Sequence, residues 1–134
     1  MKDPLLTITI PSLPPSCNSM YDVLYSAHAI RLKPEARRWV TAASAFMGPC
    51  KEFKDSGLYE VLVEYRGQWF QKGKPDEPKT KDVRNYEKLI TDTVFKRYGV
   101  NDKRIWKSTV EKVEAEDEEV IYRIWRLECQ KLGG

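Results

Sequence analysis

The sequence predicts one α+β domain over residues 1–134, with a small mixed β-sheet and two main helices packed on it, in the order β-α-β-α-β-β. Three observations predict this fold class. Strand-like alternation of apolar residues occurs in two segments of the first half, two other segments have helical apolar spacing, and two further strand-like segments close the chain. A length of 134 residues is typical of one domain.

The first predicted strand lies near the start of the chain and precedes a long loop. Leu6, Ile8 and Ile10 alternate with threonines, and Pro11 ends the strand. The stretch 12–33 shows no sustained apolar period, which predicts a loop. Loops of this length in compact domains are often functional.

The first predicted helix begins at Pro34, because proline suits the first turn of a helix. Gly48-Pro49 is predicted to end it. The helical spacing gives this helix an apolar face, which is predicted to bury Ala36, Trp39, Val40, Ala43 and Phe46.

A second strand and a second loop follow. The strand is predicted from alternating large apolar residues, namely Tyr59, Val61, Val63 and Tyr65. Residues 67–80 contain glycine, proline and lysine, which predicts a loop. Trp69 and Phe70 precede its lysines and are predicted to lie in the core or at an interface, with base stacking as the other reading.

The second helix is predicted over residues 83–98, ending at Gly99. Asn85, Lys88 and Asp92 fall within about 60° of one another around the helix axis. A different face is predicted to pack on the core, and it carries Tyr86, Leu89, Ile90, Thr93 and Val94. One side of this helix therefore presents an amide, an ammonium and a carboxylate.

The last two strands are predicted over residues 105–113 and 120–127. The acidic turn between them, Glu114 to Glu119, predicts a β-hairpin with a solvent-exposed tip.

Composition limits the possible function classes. With 23 basic and 20 acidic residues the net charge is +3, which permits nucleic-acid binding without indicating it. The chain has 3 cysteines, with no CxxC pair and no signal peptide, which favours a reducing cytoplasmic setting. No apolar stretch approaches the ~20 residues that span a bilayer, so no membrane partner is expected. A single histidine provides no zinc site.

Three aspartates recur at ten-residue intervals: Asp82, Asp92 and Asp102. Carboxylates from several points of a fold are the ligands that Mg²⁺ prefers, with Mn²⁺ as a possible substitute. Each aspartate could also have a structural role without binding a metal. Asp82 could cap the helix, Asp92 could pair with Lys88 or Lys96 on an exposed helix surface, and Asp102 could be a turn residue. We expect the three carboxylates to converge on one open pocket.

Basic residues cluster near the same segments. One cluster lies in or beside the second loop and contains Lys72, Lys74, Lys79, Lys81 and Arg84. Arg31 belongs to another cluster, at the start of the first helix. Phosphate binding and a solvated linker are both compatible with the lysine-rich loop.

The segment from Asp82 to Asp102 resembles the RusA family of Holliday junction resolvases of bacteria and their phages. The family pattern is Asp-x-Asp-Asn-x-x-Lys, an Asp on the same helix, and a paired Asp-Asp before a strand. Five residues fall on it in register: Asp82, Asn85, Lys88, Asp92 and Asp102.

The N-terminal part is also similar to that family. The family carries a Pro-Pro-Ser-x-Asn signature after its first strand, matched here by Pro14-Pro15-Ser16-Cys17-Asn18. Two positions depart from the pattern, since Arg84 replaces the second Asp and Asn101 replaces the first Asp of the late pair. Glu64 or Asp76 could supply the oxygen that Arg84 lacks.

The resemblance implies a Mg²⁺-dependent endonuclease that binds and cleaves four-way DNA junctions as a homodimer, in recombination, repair or phage DNA processing. It implies catalytic roles for Asp82, Asp92, Asp102 and Lys88, with the three carboxylates on the metal. DNA contacts would come from Asn18, Arg31, Asn85, Arg84 and the loop lysines, in a cytoplasmic, nucleoid-associated protein. Because of Arg84, the alternative is a catalytically impaired member of the fold that binds DNA or a protein.

Overall fold

The computed structural model describes residues 2–15, 21–24, 29–80 and 83–128, without the side chains of residues 21–24, 29–31 and 85. Eight strands, two helices and one 3-10 turn make up these parts of the chain. In order they are β1 (Leu6–Ile10), β2 (Tyr21–Leu24), β3 (Ala29–Leu32), α1 (Pro34–Ser44), β4 (Leu58–Gly67), β5 (Phe70–Gln71), β6 (Lys74–Pro78), α2 (Arg84–Tyr98), the 3-10 turn (Asp102–Arg104), β7 (Ile105–Glu114) and β8 (Glu119–Leu127).

The central sheet has the strand order β1-β8-β4-β7. β4 runs parallel to β7 and antiparallel to β8, and β8 runs antiparallel to β1. Two helices on a mixed sheet confirm the predicted α+β class.

The predicted hairpin of the last two strands is wrong. β7 and β8 pair with opposite edges of β4, so β4 lies between them. The connection passes the end of β4, where the backbone N–H of Ala115 donates to the carbonyl of Gly67 at 2.9 Å. The physical reason is the burial of β4, whose alternate residues are fully buried. Its backbone N–H and C=O groups need hydrogen-bond partners on both edges, and this need outweighs the short sequence distance between β7 and β8.

Both predicted loops contain paired strands, so the loop predictions are wrong in part. β2 pairs with β3 within 12–33, and β5 pairs with β6 within 67–80. A turn with Gly73 at φ 78° joins β5 to β6. Every residue of β5 and β6 is exposed, so no alternation of apolar residues marks these strands in the sequence.

The predicted face of α1 is confirmed in part, since Ala36, Trp39 and Ala43 are buried and Val40 is half-buried. α1 begins at Pro34 but ends at Ser44, before Gly48-Pro49. Phe46 lies beyond that end and is 49% exposed, so its predicted burial is wrong, and Met47 packs inward instead. α2 ends at Gly99 with φ 68°, as predicted. Its predicted core residues are all buried: Tyr86, Leu89, Ile90, Thr93 and Val94.

The two faces of the sheet are unequal. On the helix-covered face, alternate residues of β4 are buried in the main core with Ile8, Tyr122 and Ile124. The intervening residues of β4 are only half-buried on the other, open face. Trp69 belongs to the core, whereas its neighbour Phe70 is 41% exposed. Neither described helix is long and apolar enough to cross a bilayer.

Candidate metal and DNA-binding site

Two polar contacts hold α2 against the sheet. Ser108 Oγ of β7 donates to Glu87 Oε1 at 2.9 Å, and Thr91 Oγ1 lies 3.0 Å from the Tyr122 hydroxyl of β8. Together with the buried apolar face of the helix, they fix the rotation of α2 about its axis. Asp92 is consequently half-buried, and Lys88 is exposed.

The carboxyl of Asp92 is partly buried and has charged neighbours. Burial raises the pKa of its carboxyl, and repulsion from Asp102 raises this pKa as well, while Lys88 and Lys96 act to lower it. Asp102 and Lys88 therefore both lie within electrostatic reach of Asp92. The structural alternative for Asp92 holds in part: Lys88 and Lys96 both interact with its carboxylate, but the residue is half-buried and not exposed.

Asp92 also borders a groove between α1 and α2. The groove has a volume of about 370 Å³. Leu32, Val40 and Leu89 contribute apolar walls, and Lys96 and Arg97 contribute positive charge. A carboxylate beside apolar walls is poorly solvated, which explains the direction of its pKa shift.

Asp102 begins the 3-10 turn, and a contact that the sequence did not predict holds this turn in place. Asp55 Oδ1 accepts from the backbone N–H of Asn101 at 3.0 Å and from Arg104 Nε at 2.8 Å. The hydrogen bond from Asn101 and the interaction with Arg104 hold the pKa of the Asp55 carboxyl below its usual range. Asn101, which replaces a family Asp, accepts from the backbone N–H of Lys103 at 2.9 Å and so caps the turn.

Glu64 does not supply an additional oxygen to this site. Its carboxylate accepts from Arg123 and Arg66 on the open face of the sheet, away from the helices. Asp76 lies on the fully exposed strand β6. Of the two alternatives, Glu64 is therefore not the source of the oxygen that Arg84 lacks.

Several predicted site residues lie outside the described residues: Asn18, Lys81 and Asp82 entirely, and Arg31 and Asn85 with their side chains. Convergence of all three aspartates consequently stays a prediction. Within the described residues, no group of three or more His, Cys, Asp or Glu side chains is arranged to hold a metal ion. Asp92 and Asp102 still fit Mg²⁺ by donor chemistry, since this ion commonly takes one or two carboxylates together with water and phosphate oxygens.

The predicted basic residues that the structure describes precede α2 or begin it. Lys72 and Lys74 are exposed on the β5–β6 hairpin, and Lys79 is half-buried at its base. Arg84 is the exposed first residue of α2. The helix rises about 12 Å from Arg84 to Asp92, so Arg84 could contact a phosphate of the same DNA strand that reaches Asp92.

No known family model matches this chain. No curated protein is significantly similar to it.

Proposed function

We propose that the chain is a RusA-like, Mg²⁺-dependent endonuclease that binds and cleaves branched DNA as a homodimer, in recombination, repair or phage DNA processing. The observation that carries the proposal is the shared electrostatic environment of Asp92, Asp102 and Lys88. These are three of the five residues that match the RusA pattern in register.

The nearness of the Asp102 carboxylate to Asp92 fits a cation-binding role. Repulsion between the carboxylates of Asp92 and Asp102 would be relieved by a bound divalent ion. Such an ion supplies a Lewis acid for phosphodiester hydrolysis. Lys88 would offset negative charge on the phosphate, and the hairpin lysines and Arg84 would contact neighbouring phosphates.

The test is cleavage of a synthetic four-way junction with Mg²⁺ or Mn²⁺, beside linear duplex of the same sequence. Asp92→Asn and Asp102→Asn should each lower the cleavage rate by about 100-fold or more. Asp117→Asn is the matched control, because Asp117 is exposed in the acidic turn. Equal loss in all three variants, or equal action on linear duplex, would refute the resolvase proposal.

A catalytically impaired DNA- or protein-binding module is the second candidate. One observation favours it: Arg84 stands at a family Asp position. Arg84→Asp separates the two candidates. In a weakened enzyme it should raise metal affinity and cleavage together, because it removes a cation near the start of α2. If neither wild type nor Arg84→Asp cuts junctions with either metal, the binding module is the better description.

A further inference from the structure

β7 forms an open edge of the central sheet. It is the last strand in the order β1-β8-β4-β7, and its pairing partner among the described strands is β4. Most of its side chains are exposed, including Trp106 at 60%. A long strand with one bare edge is a template for pairing with another strand.

A bulge at the start of β7 limits where such pairing can be regular. Tyr59 pairs with Ile105 and Glu60 pairs with Lys107, so Trp106 is the extra residue. From Lys107 to Glu114 the register with β4 is unbroken. This stretch contains no proline, and so its outward N–H and C=O groups can all join a ladder.

We propose that the open edge of β7 pairs antiparallel with β7 of a second copy of this chain, centred on Thr109. The inference deepens the homodimer of the proposed function and rests on that proposal for its biological role. An antiparallel two-fold pair centred on one residue places residues at equal distances from it opposite each other. Centred on Thr109, Lys107 lies opposite Glu111 of the second copy, twice by symmetry.

Neighbouring registers are less complementary. A centre at Ser108 leaves only Lys107 opposite Thr109 within the regular stretch, and a centre at Glu111 places two glutamates face to face. A centre at Val110 places Lys107 opposite Val113 and forms no directly opposed ion pair. Opposed charges and threonine pairs stabilise neighbouring strands, whereas like charges directly opposite destabilise them.

The consequence for the proposed function is geometric. A two-fold axis perpendicular to the sheet keeps the helix-covered faces of both copies on the same side of the joined sheet. The two α2 helices, with Asp92 and Asp102, would therefore share one face of a continuous eight-stranded sheet. Two sites on one face suit the two-fold symmetry of a four-way junction.

Cysteine cross-linking tests the register directly. Thr109→Cys is made after Cys17, Cys50 and Cys129 are replaced by serine, and the protein is oxidised without DNA or metal. Cα atoms directly opposite in an antiparallel pair are about 4.5–5.5 Å apart, within the range of a disulfide. We expect a covalent dimer from Thr109→Cys and none from Lys107→Cys, whose two copies would lie about 13 Å apart. Cross-linking through Val110→Cys or Lys107→Cys in place of Thr109→Cys would overturn the proposed register.

Charge reversal tests the same interface with the native cysteines in place. Glu111→Lys places lysines opposite each other twice and should weaken dimerisation about tenfold or more in sedimentation equilibrium. Adding Lys107→Glu restores the opposed charges and should return the dissociation constant to within about threefold of wild type. Glu116→Lys, with the same charge change outside β7, should leave it unchanged. A monomeric wild type, or a double variant as weak as Glu111→Lys, would overturn the interface.

These outcomes are separable from the nuclease assay. A dimer joined through Thr109→Cys that fails to cut junctions would sustain the interface and refute the enzyme. A chain that cuts junctions but cross-links elsewhere would do the reverse.

Discussion

The two faces of β4 are stabilised in different ways. On the helix-covered face, Val61 and Val63 are at most 1% exposed and pack among apolar side chains. On the open face, Leu62 and Glu64 are half-buried, and Glu64 accepts from arginines of its own and the neighbouring strand. One strand therefore contributes apolar side chains to the core on one face and charged side chains to the surface on the other. Substitutions on the two faces should therefore differ sharply.

The largest expected effect is on the helix-covered face. Ile124 lies opposite Val61 and is fully buried, so Ile124→Ala should lower the free energy of unfolding by about 3 kcal/mol. Leu62→Ala, on the open face, should cost about 1 kcal/mol or less, because its site is already partly hydrated. Urea denaturation at neutral pH measures both. Equal losses would show that the open face is covered in solution, for example by a second copy.

The ion pairs of the open face should have an intermediate effect. The Glu64 side chain is 13% exposed and that of Arg123 is 26% exposed, so their contact is largely desolvated. Glu64→Gln should lower the free energy of unfolding by about 1–2 kcal/mol, because a half-buried arginine loses its carboxylate. The double variant Glu64→Leu with Arg123→Leu should recover most of this loss. A double variant less stable than Glu64→Gln would contradict the assignment of the loss to an uncompensated charge.

Asp92, on the helix side, should behave in the opposite sense. Its pKa is raised above 3.8 mainly by burial, so the folded state retains a proton that the unfolded state has released. The contribution of Asp92 to stability should then fall as pH rises from about 3.8 through its folded-state pKa. Asp92→Asn removes this decline, and its stability relative to wild type should increase over that window, by less than the change at Glu64. Urea denaturation at pH 3.5 and pH 7 gives the difference; a variant less stable than wild type at pH 7 would contradict it.

The smallest effect is expected at a fully solvated ion pair. Lys2 Nζ lies 3.4 Å from Glu128 Oε1, with side chains 80% and 70% exposed. Glu128→Gln should change the free energy of unfolding by less than about 0.5 kcal/mol. A larger loss would mean that exposure alone does not separate this pair from Glu64 and Arg123.

The main elements were predictable because burying one face of a strand or helix requires apolar residues at regular intervals in the sequence. The alternation from Tyr59 to Tyr65 and the apolar face of α2 record direct packing on the core. The order of strands in the sheet was not predictable in this way. β7 and β8 are adjacent in sequence, and no sequence pattern shows that both pair with β4 and are therefore separated in space. The exposed strands β5 and β6 show no regular spacing of apolar residues, because strands that pair without being buried do not need it.

The candidate site was predictable where it depends on helical spacing. The four-residue separations of Lys88, Asp92 and Lys96 correctly predict their electrostatic coupling. The role of Asp55 was not predictable, because its partners Asn101 and Arg104 are 46 and 49 residues away along the chain. An Asp-Ser-Gly turn gives no signal of which later segment it will bind.

The position of β8 has a consequence for synthesis of the protein on the ribosome. β8 pairs with β1 on one edge and β4 on the other, although these strands belong to the first half of the chain. The nascent chain therefore cannot close its central sheet until Leu127 has left the exit tunnel. Until then β1 lacks the strand it pairs with, and the apolar face of β4 lacks the neighbours Tyr122 and Ile124. Translation of the last strand, rather than formation of either helix, should set the moment at which the domain becomes resistant to proteases.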